Sequence, residues 1–459
     1  MSLDSEPVDL ARTGRVRRLW ADPTWRAVAI IAVLALAVRV VWAVWAARTP
    51  VGIYDPLRYL GYGNAIADGK GYIEPFTTPH NYPTAYYPMG YPWFVGIVTW
   101  VSRPFSHDQV MAVVLVQSVL GAASVVFGAI VARRLAGRGA AIAAALGLAF
   151  YPNLIFHSGV ILGETLYNTL FLAFAALFVT TRWPDGLSKR RVALTGVVLG
   201  LAVMVRPISL AMVPVVVVVW WLATHDRRVL LRSTLVLLLA VAACILPWTI
   251  RNEIRMHQFV LISDNMGENL CIGHAVEATG GFAFPASCQT KMSLLDGPDG
   301  EVTADKEKVR SALEYMRTDP GREPWLLWQK VWFTWVRDGD HDGLTAAQSY
   351  GSNRWIAPAT DHRLVRVADT AYWLVVVAGV AGLVQLAWRR RPEDLFLVGV
   401  TLMTALIPLA FFGDSRFKVP AIPLLILAAA TLVRSRGGAG DDPAEASVGE
   451  PVEAPVAAV

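Results

Sequence analysis

The chain has 459 residues, 55% of them hydrophobic and only 17% charged, whereas a soluble domain carries about 25% charge. The apolar residues fall in long runs rather than at helical or strand period, which is what hydrocarbon as solvent demands; an ordinary soluble enzyme is excluded. The formal net charge of +5 is small and locally patterned, so no nucleic-acid partner is expected.

Residues 1–26 carry Arg12, Arg15, Arg17, Arg18 and Arg26 and read as a basic cytoplasmic segment. The run from Ala27 to Ala47 is too long for the apolar core of a cleaved signal peptide and reads as an uncleaved first span. Further apolar runs follow at 109–132, 139–156, 158–181, 192–205, 207–224, 229–250, 368–388, 394–412 and 418–434, which makes ten spans. Basic clusters sit at Arg133/Arg134/Arg138, Arg182/Lys189/Arg190/Arg191, Arg227/Arg228/Arg232, Arg389/Arg390/Arg391 and Arg434/Arg436. Placing all of them in the cytoplasm threads the ten spans consistently. Both termini are then cytoplasmic, and the loops 48–108 and 251–367 face outward.

The run Tyr91 to Val101 is too short to span and would break that charge pattern, so it reads as an interfacial helix whose aromatics suit the headgroup zone. In the large outer loop, 303–316 reads as a solvated helix. Trp325, Trp328, Trp332 and Trp335 recur at helical spacing and predict a second interfacial helix. Cys271 and Cys288 lie 17 apart in that loop and form either a disulfide or two free thiols. After Arg436 the composition cannot bury a core, and 435–459 reads as a disordered cytoplasmic tail. The expected organisation is therefore a basic segment 1–26, a transmembrane catalytic module 27–250 that includes the first outer loop 48–108, a large outer loop 251–367, C-terminal helices 368–434 and the tail.

The charges that break the pattern carry the functional signal. Arg206, Arg251, Arg416 and Lys418 lie at the outer ends of spans, and a guanidinium at membrane depth needs a partner. Glu164 is a similarly placed carboxylate, two turns from His157; Arg39, inside the first span, has no assigned role. As a group the four cations suit a lipid-linked phosphate, because arginine matches phosphate bidentately. Asp55 follows the first span closely, and Arg58 and Tyr59 lie within two turns of it. Either it caps the short helix that begins there, or it accepts a proton from an acceptor hydroxyl.

The stretch from Asp55 through Tyr59 and Ala65 to Gly69-Lys70-Gly71-Tyr72, followed by Thr84-Ala85-Tyr86-Tyr87-Pro88-Met89-Gly90-Tyr91-Pro92, resembles the first outer loop of GT-C glycosyltransferases. The branch it resembles more closely holds the protein O-mannosyltransferases and the lipid A aminoarabinose transferase. Gly163-Glu164-Thr165-Leu166, Gly200-Leu201-Ala202 with Arg206-Pro207, Pro247-Trp248-Thr249-Ile250-Arg251-Asn252, Asn265-Met266-Gly267-Glu268-Asn269-Leu270 and Arg416-Phe417-Lys418-Val419-Pro420 follow in the expected order. The resemblance implies an all-α polytopic GT-C-like bundle of about ten transmembrane helices in the plasma membrane. It implies transfer of a hexose or pentose from a polyprenyl-phosphate donor, outside the cytoplasm, to a lipid, glycan or protein acceptor. Asp55 maps to the family's acidic residue as base or acceptor ligand. Arg58, Tyr59, Tyr87, Glu164, Arg206, Arg251, Asn252, Arg416 and Lys418 are the expected substrate-binding residues. No cofactor is expected to be required. His80 and His274 have no spacing that defines a metal site, although a divalent ion is compatible with the family. One departure matters: the protein O-mannosyltransferases carry an adjacent Asp-Glu pair where this chain has Asp55-Pro56, so the acceptor is not fixed as a protein Ser or Thr. The rival readings are a transporter or flippase of a lipid-linked substrate, and a ligase or polymerase of lipid-linked glycans.

Overall fold

The computed structural model describes residues 22–51, 55–76, 82–181, 187–289, 297–339, 344 and 355–433. Arg12, Arg15, Arg17, Arg18, His80, Arg182, Arg434, Arg436 and the tail 435–459 lie outside the described residues. Among the described residues the architecture is helical throughout, with isolated bridges and no strand.

The first helix, α1 (Pro23–Ala46), starts where both local rules place a start. Pro23 fills the first turn, and the Asp22 carboxylate accepts the Thr24 amide at 2.9 Å. Two short helices of the first large loop follow, α2 (Asp55–Ala67) and α3 (Gly90–Ser102). Thirteen residues of α3 reach about 20 Å, short of the roughly 30 Å hydrocarbon core. Its Trp93, Ile97 and Trp100 are exposed while Tyr91, Val95 and Thr99 are buried, the pattern of a helix lying on a surface.

Helix α4 (Gln109–Phe150) joins two of the expected spans through a single residue, Gly137, at φ 84° and ψ −161°. That conformation suits glycine alone, so what reads in the sequence as a basic connecting loop is a one-residue kink. The expected run 139–156 stops at Phe150, because Tyr151 and Pro152 restart the chain as α5 (Pro152–Ser158). The next helix, α6 (Glu164–Val179), begins six residues later than the apolar run at 158 suggests. Then come α7 (Lys189–Val205), α8 (Met212–Thr224, entered through a 3-10 turn at Pro207–Ala211) and α9 (Arg227–Met256). Past the helices of the second large loop, α13 (Pro358–Arg389), α14 (Pro392–Leu406) and α15 (Ala421–Ala430) complete the bundle. Among the described residues six helices are long and apolar enough to cross a membrane, with Glu164–Val179 and Ala421–Ala430 as shorter apolar helices.

The Arg133/Arg134 and Arg389 clusters meet at one end of this bundle. Arg133 reaches Asp22 at 2.6 Å, Arg134 reaches Glu393 at 2.7 Å, and Arg389 donates to the Leu135 carbonyl at 3.5 Å. At the opposite end of α6, Glu164 belongs to the polar cluster described below. Arg39 is explained by the packing. It is buried, and its Nη1 and Nη2 donate to the Ala149 and Leu148 carbonyls at 2.9 and 2.8 Å. It thus places a cation on the orphan carbonyls that end α4.

The second large loop holds α10 (Met266–His274), α11 (Gly297–Thr318) and α12 (Glu323–Trp335). Of the two sequence readings for its cysteines, the disulfide holds: Cys271 and Cys288 are bonded. Trp325, Trp328 and Trp332 of α12 are 50%, 61% and 52% exposed, while Leu326, Lys330 and Thr334 face inward. The Trp335 carbonyl accepts the Tyr372 hydroxyl at 2.5 Å. Tyr372 stands where α13 changes from the polar turns around Asp361, Arg366 and Asp369 to its apolar run. This end of α12 therefore sits level with the start of an apolar span, where exposed tryptophans suit the headgroup zone.

Candidate active site

Four charged residues from distant parts of the chain meet beside α2. Asp55, the first residue of α2, spends neither oxygen on capping its own helix in the contacts seen. Its Oδ1 accepts the Tyr87 hydroxyl and its Oδ2 accepts Arg416 Nη1, both at 2.5 Å. Arg416 lies in the tight turn Ser415–Lys418, where the Asp414 carboxylate caps the Arg416 amide at 2.8 Å. Its Nε donates to Glu164 Oε1, so a single guanidinium joins the two carboxylates.

Glu164 opens α6 and is fully buried. The same Oε1 also accepts Arg206 Nη2 at 2.6 Å, whereas Oε2 is buried without a hydrogen-bond partner. The local sequence aims Arg206. Pro207 holds the preceding residue out of the helical region, so Arg206 is extended at φ −139° and ψ 105° and ends α7. A carboxylate with no exposure is tolerated because two guanidinium groups compensate it.

Aromatic rings wall the cluster. The Tyr59 ring stands 4.9 Å from Tyr87 and 5.0 Å from Tyr91, and the Tyr91 hydroxyl donates to Gln117 at 2.7 Å. Burial, then the Asp55 charge, raises the Tyr59 and Tyr87 phenols above their ordinary range. Tyr87 is thereby kept as a neutral donor to Asp55.

The other expected substrate-binding residues are placed elsewhere. Arg58 pairs with the buried Glu74 at 3.0 Å. Arg251 donates to the backbone carbonyls of Tyr72 at 2.6 Å and Thr84 at 2.7 Å, and stacks over Trp248. Asn252 donates to the Val260 carbonyl at 3.1 Å. Lys418 is fully buried, 3.2 Å from Asp338 and bonded to the Arg337 carbonyl at 2.7 Å. The structure does not bring Arg251, Asn252 and Lys418 to Asp55; their donors tie the two large loops to the bundle.

Several residues of this framework carried no signal in the sequence. Glu301 of α11 accepts the Thr84 hydroxyl at 2.8 Å and the Ala85 amide at 2.7 Å, and the Asp264 amide donates to the Ala85 carbonyl at 3.1 Å. The strand-like segment that ends in Tyr87 is thus gripped from the large loop. Burial pushes the Glu301 carboxyl up to about 7 and that of Asp264 well above the usual carboxylate range. Glu74 and Asp338 are acids in polar loop sequence, and nothing local distinguishes them from solvated ones.

Among the described residues no group of three or more His, Cys, Asp or Glu side chains is arranged to hold a metal ion. Both carboxylates of the cluster are engaged by arginine. That donor set, two carboxylates each held by a guanidinium, does not fit a cation.

Residues 87–250 match the family model of dolichyl-phosphate-mannose-protein mannosyltransferases. No curated protein matches the sequence. Among solved structures the chain is similar to the oligosaccharyltransferase of Archaeoglobus fulgidus. Its complex with an inhibitory peptide and a dolichol-phosphate gives a TM-score of 0.53 at 14% identity, covering 90% of this chain and 50% of that one. The apo form gives 0.54 at 14% identity, over 90% and 51%. ArnT from Cupriavidus metallidurans bound to undecaprenyl phosphate gives 0.42 at 14% identity, over 88% and 77%. The fold is that of GT-C membrane glycosyltransferases. The chain spans about half the length of the archaeal structures it matches.

Proposed function

We propose that this chain is a membrane glycosyltransferase that moves one sugar from a polyprenyl-phosphate donor to an acceptor hydroxyl outside the cytoplasm, with inversion. The observation that carries the reading is the Asp55–Arg416–Glu164–Arg206 cluster, two carboxylates and two guanidinium groups at the end of α6 remote from Arg134. The match of residues 87–250 to a lipid-phosphate mannosyltransferase family and the GT-C fold support it. The Cys271–Cys288 disulfide supports an oxidising compartment for the large loop.

In this mechanism the acceptor oxygen attacks the anomeric carbon as its proton passes to Asp55. The bond from that carbon to the phosphate oxygen breaks, and its electron pair stays on the phosphate. The lipid phosphate is a competent leaving group. The site's task is then to supply positive charge where the phosphate gains negative charge, and Arg416 and Arg206 are placed for it. Glu164 is the fixed counterion that orients both arginines. In this reading the exposed faces of α3 and α12 rest in the outer headgroup zone of the plasma membrane, both termini are cytoplasmic, and the acceptor is a lipid, glycan or protein.

The test is turnover in detergent, where two compartments no longer exist. The purified chain, given a polyprenyl-phosphate-linked hexose and a detergent extract of envelope acceptors, should release free polyprenyl phosphate and add one sugar residue by mass. Carrier that keeps its sugar in detergent but crosses the membrane of proteoliposomes would instead make the protein a flippase.

A further inference from the structure

Arg416 holds two partners through different nitrogens: Nη1 on Asp55 Oδ2 at 2.5 Å and Nε on Glu164. Glu164 is fully buried and doubly paired, so it is the fixed member. Asp55 is the exchangeable one, with its side chain 30% exposed and its carboxylate at the start of a short outer-loop helix. The four charges sum to zero, because two arginines face two carboxylates. A donor phosphodiester brings one more negative charge. The cation best placed to receive it is the one whose outward nitrogen already binds a solvent-accessible carboxylate.

Resting on the glycosyltransferase reading, we propose that Arg416 is shared by exchange: the donor phosphate displaces the Asp55 carboxylate from Arg416 and so releases the base. Arg416 and Tyr87 each occupy an Asp55 oxygen, so an acceptor hydroxyl has to compete with a guanidinium for it. With donor bound, Arg416 faces phosphate, Glu164 keeps its Nε in place, and Asp55 retains only the neutral Tyr87 donor. Binding is then ordered, with donor first. The exchange also balances the chemical step. As the phosphate goes from one negative charge to two, Asp55 gains the acceptor's proton and loses its own charge, so the total around Arg416 and Arg206 is unchanged.

The exchange makes a prediction of unusual sign. Asp55→Asn, read at equilibrium with undecaprenyl phosphate as the probe and the purified full chain in detergent, should bind the lipid roughly tenfold tighter than wild type, the scale of one charge-assisted hydrogen bond. In the Arg416→Ala background the same substitution should change nothing. Asp55→Ala serves as the second variant if the asparagine form fails to fold. Equal or weaker binding by both Asp55 variants overturns the exchange. A gain that persists without Arg416 also overturns it, because it would then be a general field effect. No binding by the wild-type chain overturns the donor reading itself, and the exchange with it.

Discussion

Asp55→Asn should insert and fold as wild type yet lose transfer, with kcat down by about 10²–10⁴-fold, the usual contribution of a positioned general base. The substitution is nearly isosteric. Asparagine still offers an oxygen to Arg416 and one polar group to Tyr87, so the geometry at the head of α2 is kept. What disappears is a group able to take the acceptor's proton. Elution as a single species with an unchanged melting temperature separates loss of chemistry from loss of fold. Wild-type turnover of a purified lipid-linked sugar would remove Asp55 from the mechanism.

Arg416→Ala should fail differently. It removes the one guanidinium that touches both carboxylates, leaving Glu164 to Arg206 and Asp55 to Tyr87. Loss of a donor aimed at developing charge costs about 10²–10³-fold in rate. The donor Kd should rise as well, whereas the acceptor KM should move much less. Some loss of stability is expected too, because a buried carboxylate with one partner fewer is destabilising. Arg416→Lys tests the geometry: it restores the charge but cannot reach Asp55 and Glu164 through separate nitrogens. Unchanged donor affinity in Arg416→Ala would argue against its place at the phosphate.

The apolar runs were legible as helices, because a backbone in hydrocarbon must satisfy its own polar groups. The ten runs read as spans fall, however, in only six described helices long and apolar enough to cross a membrane, two of the runs merged in one of them. The rest lie in the shorter apolar helices Glu164–Val179 and Ala421–Ala430 and in Lys189–Val205. The ends of the helices were less legible. A single glycine at 137 turns the Arg133–Arg138 stretch from a loop into a kink. Helix α9 continues six residues past the apolar run to Met256, because Arg251 and Asn252 find carbonyl partners in the two large loops. The meeting of Asp55, Glu164, Arg206 and Arg416 was half legible: each is a charge at the outer edge of an apolar run, where an uncompensated charge is expensive. The same reasoning placed Arg251 and Lys418 among the phosphate-facing cations, and there it could not discriminate. Lys418 is held by Asp338, 80 residues away in a polar stretch, and no local pattern reports such a pairing. Tyr87 entered only through the family resemblance of the first loop, as a substrate-binding residue, and nothing local reported its bond to Asp55.

The central claim is that both large loops, and with them the site, share the outer face of the membrane. It is tested most directly by a membrane-impermeant maleimide on intact cells. Single cysteines replace exposed residues in a Cys244→Ser background: Lys70 in the first loop, Asp319 in the second, and Arg227 at the opposite end of the bundle. Positions 70 and 319 should label in intact cells, and 227 only after lysis. Labelling of 70 and 319 from different sides, or of 227 alone in intact cells, would contradict the account.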